Sequence, residues 1–458
     1  MRLQGSAARV LPPLPSAQPK VSPAAPGSII QHTARSGLRI VAVRRPSVPV
    51  VELRLAVPFA GSADNHAATA ELLAAVLVGS AGGHDRTGLD AALGRAGGTL
   101  RTSVTPERLT VRGSFAADGL TSALAVLGEV LSDSRRPEDE VRTQRQQLTH
   151  RLRMYRSHPR TAAREALLEQ CFPGHPMSRE VPLPDAVTDV HAEHVAALHA
   201  RALVPRGSRL LLVGDLDPAT AVINAEHALA SWTAPHRALD MPDLPVPAVG
   251  VSVQGRESAR QVQIRLLTAV PGRDEELYTA VRLANLVLGA SFGSRLTARL
   301  RERDGLTYSV HTSVVDAPGR ALMVLDSDTS PGQLGAALVA TREELDRFAN
   351  EDPPSGAEAD AARNYHAGSL AIMLSSQNGT ADLLHQLPPG TDYEEWLAVQ
   401  PDLAGRAGLD EVRTAARRMA AACFSGVLLT PTEHVSRATE EAEAAGFTSA
   451  PALENCRS

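Results

Sequence analysis

A few stretches of this chain hold side chains of the types and spacing that chemistry uses. His191 and His194 stand three residues apart, with Glu193 between them and His199 beyond. On a helix that spacing brings imidazoles to one face, as a metal site needs. The stretch that holds them, VTDVHAEHVAALHARAL, also carries Val190, Val195 and Leu198 at helical spacing. The simpler expectation is a buried aliphatic stripe with the histidines on an exposed face. His227, in another helical run, is likewise expected to face solvent. The run LGASFGS at 288–294 has the glycines of a phosphate loop but not the G-x-x-x-x-G-K-[ST] pattern, which argues against nucleotide binding. Cys171, Cys423 and Cys456 are far apart and show no ligand spacing, so a reduced protein is expected. The sequence H-x-x-E-H, which puts two imidazoles on one zinc with a carboxylate base between them, occurs nowhere.

The elements that would position such groups can be read from periodicity. Segments 38–45 (LRIVAVRR) and 50–57 (VVELRLAV) read as strands, and 66–78 (HAATAELLAAVLV) as a helix. A strand at 107–115, a helix at 119–132 and a long helix from about 137 to 155 follow. Segment 209–214 is a buried strand. Behind it, Asp217-Pro218 is an N-cap with proline at the first helical position, opening a helix over 218–231. Pro235, Pro242, Pro245 and Pro247 then mark a linker near mid-chain.

The second half repeats the first. At an offset of 211 residues, Val51, Leu53, Arg54 and Leu55 fall on Val262, Ile264, Arg265 and Leu266. Gly61 falls on Gly272, Asp64 on Glu275, and Leu72, Val76 and Leu77 on Leu283, Val287 and Leu288. Agreement of strand face, turn glycine and helix face together points to domain duplication. The expected architecture is α+β: two similar lobes, each a largely antiparallel sheet packed with helices. The lobes are placed at 29–236 and 251–445, joined by the linker 237–250, with tails at 1–28 and 446–458.

Four stretches carry a family resemblance: GSADNHAATAELLAAVLVGS at 61–80; RLRMYRSHP at 151–159, continuing to CFPGHP at 171–176; LLLVGDLDP at 210–218; and SRLTARLRERDGLTYSV at 294–310. Over about residues 30–440 the chain resembles the insulinase (pitrilysin-type) metallopeptidases, the inverted zincins. An active member carries H-x-x-E-H on a first-lobe helix and a further glutamate on the long helix. Aligned on the turn glycine and the helix end, the two histidine positions hold Glu71 and Ala75, the base position holds Ala74, and the later glutamate position holds His150. Ala75 has no lone pair and Ala74 no proton acceptor, so no catalytic zinc site is expected in this chain.

The same resemblance assigns a role to Arg301 and Tyr308, around the turn at Gly305. In the family these two donors reach a substrate held at the zinc of another lobe. Here they are expected to act in trans on a partner's site. Gly289, Phe292, Gly293 and Gly305 are the implied substrate-binding positions, the first three within a glycine-rich loop. The resemblance thus implies a non-catalytic subunit of a heterodimeric peptidase, similar to the α subunits of processing peptidases. Zinc would be supplied by an H-x-x-E-H partner, and the substrate would be a peptide held extended along a sheet edge, with precursor or leader processing as the implied task. A scaffold or peptide-binding pseudo-enzyme without a proteolytic role is the alternative.

Composition bounds the rest. The 458 residues are 43% hydrophobic but only 3% aromatic, so Ala, Leu and Val must fill the cores. Net charge is -5 with no long run of one sign, which disfavours nucleic acid as a partner. No apolar run is long enough to span a membrane. No acidic residue precedes Glu52, as in an organelle transit peptide, but six prolines between Pro12 and Pro26 break any amphipathic helix there. A disordered tail on a bacterial cytoplasmic protein is the expectation; a mitochondrial location is the alternative.

Overall fold

The computed structural model describes residues 28–450, apart from 64, 82, 134, 135, 274 and 422. The proline-rich tail, Asp64 of the repeat and Cys456 lie outside the described residues.

Alternating apolar runs build two sheets. The first contains β1 (Ile29–Thr33), β2 (Arg39–Arg44), β3 (Val50–Pro58), β4 (Thr99–Val104), β5 (Arg108–Ala116) and β6 (Arg209–Gly214), in the order β1-β2-β6-β3-β5-β4. The second contains β7 (Gly250–Gly255), β8 (Val262–Val270), β9 (Thr307–Ala317), β10 (Arg320–Thr329) and β11 (Ser425–Thr430), in the order β7-β11-β8-β10-β9. Dropping β1, the two orders are the same. The β2–β6 and β7–β11 pairs are parallel; every other ladder is antiparallel. The fold is α+β, as the periodicity predicts.

Helices of the first half are α1 (His66–Val76), α2 (Arg86–Arg95), α3 (Leu120–Ser132), α4 (Glu138–Ser157), α5 (Pro159–Cys171), α6 (Pro184–Thr188), α7 (Ala192–Ala202) and α8 (Pro218–Ala228). Those of the second are α9 (Tyr278–Asn285), α10 (Leu334–Asp346), α11 (Gly356–Leu374), α12 (Gln377–His385), α13 (Tyr393–Arg406), α14 (Leu409–Ala421) and α15 (Val435–Ala444). Asp217 caps α8 by accepting from the Thr220 N–H at 2.8 Å, as its place before Pro218 predicts. No helix among the described residues is long and apolar enough to cross a membrane.

Each sheet has two faces, and period two divides them. On β3, Val51, Leu53, Leu55 and Val57 pack into the first lobe's own core. On β8, Val262, Ile264 and Leu266 do the same in the second lobe. The opposite faces are covered by helices from the other half. Leu167, Leu168, Cys171 and Phe172 of and just after α5 pack on Leu267, Leu322 and Val427 of the second sheet. In exchange, Ala381 and Leu384 of α12, with Leu387 and Tyr393, pack on Val41, Val43, Leu211 and Val213 of the first. The lobes are therefore interleaved.

Polar contacts repeat this exchange. Arg45 and Arg256, one repeat apart, cap carbonyls at the end of the other half's long helix. Arg45 donates to Leu374 O on α11, and Arg256 donates to Arg156 O on α4 at 2.9 Å. Arg54 and Arg265 are buried on the central strands. Arg54 pairs with Glu52 at 3.0 Å and with Asp382 of α12 at 2.8 Å. Arg265 pairs with Asp328 at 3.3 Å, and Asp328 also takes Arg160 from α5.

Candidate functional site

Helix α1 presents the positions that the resemblance aligns with the zinc motif. Glu71 and Ala75, one turn apart, lie on its partly exposed face, and Ala74 is buried. Helix α4 packs alongside, but the side chain meeting Glu71 is Arg151, at 3.8 Å. Its neighbour His150 is exposed. Burial pushes the Glu71 carboxyl above its usual pKa, and Arg151 pulls it back. The cleft beside Glu71 is small and is shared with His66, Arg179, Glu180 and Val104 of edge strand β4. His66 bonds Phe59 O through Nε2 at 2.8 Å, and burial lowers its pKa. Among the described residues no group of three His, Cys, Asp or Glu side chains is placed to hold a metal.

The second set of positions sits on the other lobe. After α9 the backbone widens into π-turns at Leu286–Ala290 and Thr297–Arg303, a distortion common near functional sites. Gly289 is buried against β9, where an added Cβ would stand 2.5 Å from Thr312 Oγ1. Phe292 and Gly293 face outward, and Phe292 is 75% exposed. Gly305 has φ +63° in the turn that reverses the chain into β9, a conformation glycine adopts without strain.

Segment 295–303 carries four arginines. Arg295 pairs with Glu358 at 2.7 Å, Arg299 with Asp304 at 2.7 Å, and Arg303 with Asp304 at 3.1 Å. Arg301 has no carboxylate among the described residues; its guanidinium lies over the Phe292 ring, 5.5 Å from the centroid. Tyr308 is 87% exposed. The ladder is irregular there: Thr307 pairs with Thr329 and Val310 with Ser327, so Tyr308 and Ser309 both stand opposite Asp328. That is a β-bulge on an edge strand, a device that re-aims a side chain. An unpaired cation, an outward phenol and an open sheet edge are thus gathered at one end of the second lobe. The α4–α5 pair links the two sets, since Arg151 meets Glu71 and Arg160 bonds Ser309, next to Tyr308.

The histidine-rich helix differs in part from expectation. His191 is the N-cap of α7 and His194 its third residue, and their side chains form a capping box. Both are exposed, but His199 is 3% exposed and joins Val195 and Leu198 in the packed stripe. Burial, aided by Arg136, lowers its pKa to about 4. The pattern missed this because position 199 is adjacent to Leu198, at the edge of the stripe. His385 of α12 is also buried, and burial with four neighbouring arginines brings it to about 3. Unfolded, both would titrate near 6.5. As pH falls from 6.5 toward 4 the unfolded chain binds protons that the native one refuses, so stability falls with pH. His199→Gln is expected to flatten the slope of unfolding free energy against pH in this window by about 1.4 kcal/mol per unit. Denaturation series at several pH values check this; an unchanged slope contradicts it.

Comparison with known proteins fits this geometry. Residues 189–365 match a family model described as the peptidase M16 inactive domain, a span that includes Arg301 and Tyr308. An uncharacterized zinc protease of Mycobacterium tuberculosis is 23% identical over 430 residues, 90% of this chain and 96% of that protein. One from Streptomyces coelicolor is 24% identical over 410 residues, 85% of this chain and 87% of that protein. A peptidase M16 inactive domain from Pseudomonas fluorescens has the same fold, with TM-score 0.78, 20% identity, and coverage of 88% of this chain and 98% of that one. A protease from Helicobacter pylori superposes with TM-score 0.74 at 17% identity, covering 88% of this chain and 99% of that one.

Proposed function

We propose that this chain serves in the insulinase-type (M16) peptidase family, whose inactive-domain model it matches over residues 189–365, as a zinc-free subunit, lending Arg301 and Tyr308 to the active site of a partner that carries H-x-x-E-H. The observation that carries this reading is the pairing pattern on 295–303: every arginine but Arg301 is neutralised, and Tyr308 beside it points outward from a bulge. A structural scaffold has no need of either feature. A peptide laid against the free edge of β9 would gain main-chain hydrogen bonds. The partner brings metal and base. This chain's Tyr308 hydroxyl donates to the scissile carbonyl oxygen as negative charge grows on it, and Arg301 adds positive charge and holds the peptide backbone. Glu71, Ala74, Ala75 and His150 make no step of their own.

The purified chain is accordingly expected to hold no stoichiometric zinc and to leave peptides uncut. Elemental analysis tests this; one tightly bound zinc per chain, with cleavage lost on chelation, would overturn the reading.

A further inference from the structure

We propose that the far end of β9 carries a carboxylate-binding site, built from Arg282, Tyr278 and Arg273, that anchors an acidic group of the bound peptide about eight residues from the bond to be cut. The inference rests on the peptide-binding reading above and adds a substrate class to it.

The residues form one fixed unit. Tyr278, in the first turn of α9, donates its hydroxyl to Asp316 of β9 at 2.8 Å. Arg282, one turn on, donates to the same hydroxyl oxygen at 3.1 Å. Arg273, in the turn before the helix, pairs with Asp316. Both guanidiniums lie against the Tyr278 ring, 5.4 Å and 5.7 Å from its centroid. The arginines are thus held by one aromatic face and one shared oxygen, which limits the rotamer freedom they would lose on binding.

The charge balance is one carboxylate short. Two guanidiniums face a single carboxylate, Asp316, and Arg282 has no acidic partner within 4 Å among the described residues. Its bond to Tyr278 uses one N–H of five, leaving the fork that matches a carboxylate. Nearby His366 of α11 has its pKa lowered, by burial first and by Arg282 second, which favours its neutral form.

Position gives the cluster its meaning. Val310, Thr312 and Val314 of β9 face the helices, and Asp316 continues that face. From Tyr308 to Asp316 is eight residues, roughly 25 Å at the rise of a strand. β9 is the sheet edge, with β10 as its one strand neighbour among the described residues. A peptide added to that edge with its scissile carbonyl at Tyr308 runs toward Arg282. A Glu or Asp side chain, or the peptide's terminal carboxylate, then reaches the free fork.

The test measures binding of fluorescein-labelled extended peptides of about twelve residues to the full chain by anisotropy. One set carries a single Glu walked along an otherwise uncharged sequence; a second has no Glu and ends in a free or amidated carboxyl. Binding is expected to tighten about tenfold when the carboxylate stands at one position, and Arg282→Gln should abolish that preference. Loss on amidation assigns the terminal carboxylate; loss on Glu→Gln assigns a side chain. Tyr278→Phe, which keeps the ring and removes the shared oxygen, should weaken the preference while thermal melting stays close to wild type. Peptides that bind without regard to the carboxylate, or a preference that survives Arg282→Gln, overturn the inference and leave the Arg301/Tyr308 reading standing. If no peptide binds, the carboxylate site is overturned, while the Arg301/Tyr308 reading is decided separately by cleavage in the assembled pair.

Discussion

Tyr308→Phe in the assembled pair is expected to lower kcat by roughly 10²–10³, or about 3–4 kcal/mol of transition-state stabilisation, the range set by removing one oxyanion donor. KM should change little, because the bond tightens as charge develops on the oxygen. The side chain is 87% exposed, so removing its hydroxyl disturbs little packing. Folding and assembly should therefore be unaffected, and any loss is chemical. Arg301→Ala should both lower kcat and raise KM, since that side chain would also hold the substrate backbone. Steady-state kinetics on the reconstituted pair decide between this account and a purely structural role, for which both variants cleave at the wild-type rate.

The largest expected effect on stability lies at the lobe interface. Arg54→Met is expected to cost about 3–5 kcal/mol, the penalty for breaking a buried ion pair from one side. Arg54 is 3% exposed and Glu52 7%. Without the guanidinium, Glu52 keeps among the described residues only the Ser114 hydroxyl at 2.9 Å, while Asp382 retains Arg112 at 3.0 Å. The stranded charge is therefore Glu52. Adding Glu52→Gln should restore part of the loss, because a neutral amide is far less costly to bury. Denaturant midpoints of the single and double variants measure this. A change below about 1 kcal/mol for Arg54→Met would show that the pair is not what joins the first sheet to α12.

These two residues mark how far the sequence can be read. Arg54 and Arg265 coincide at an offset of 211, and that coincidence, with the strand and helix faces around it, is enough to predict two like lobes. It does not predict the interleaving. By the long helices the offset has grown: Glu138 opens α4 and Gly356 opens α11, 218 residues apart. A gap-free overlay therefore ends before α5 and α12, the helices that cross over. Their apolar faces also look the same whether they cover their own sheet or the other one. Edge strands β1 and β4 were equally hidden, since Thr99–Val104 has an apolar residue only at Leu100 and Val104. A motif draws attention to Arg301 and Tyr308 in the sequence itself, whereas Arg282, Tyr278 and Arg273 lie together only once α9 is packed on β9. The bulge at Tyr308 has no sequence signal of its own; it emerges from the register of β9 against β10.

The most direct test mixes the purified chain with an H-x-x-E-H homologue from the same source and follows peptide cleavage together with mass by light scattering. The account predicts a one-to-one complex with an interface well above about 1,000 Å². It also predicts cleavage that appears only on mixing and is lost when Tyr308 is replaced by Phe. A homologue that cleaves at full rate alone, while this chain elutes beside it as a separate monomer, would contradict the account.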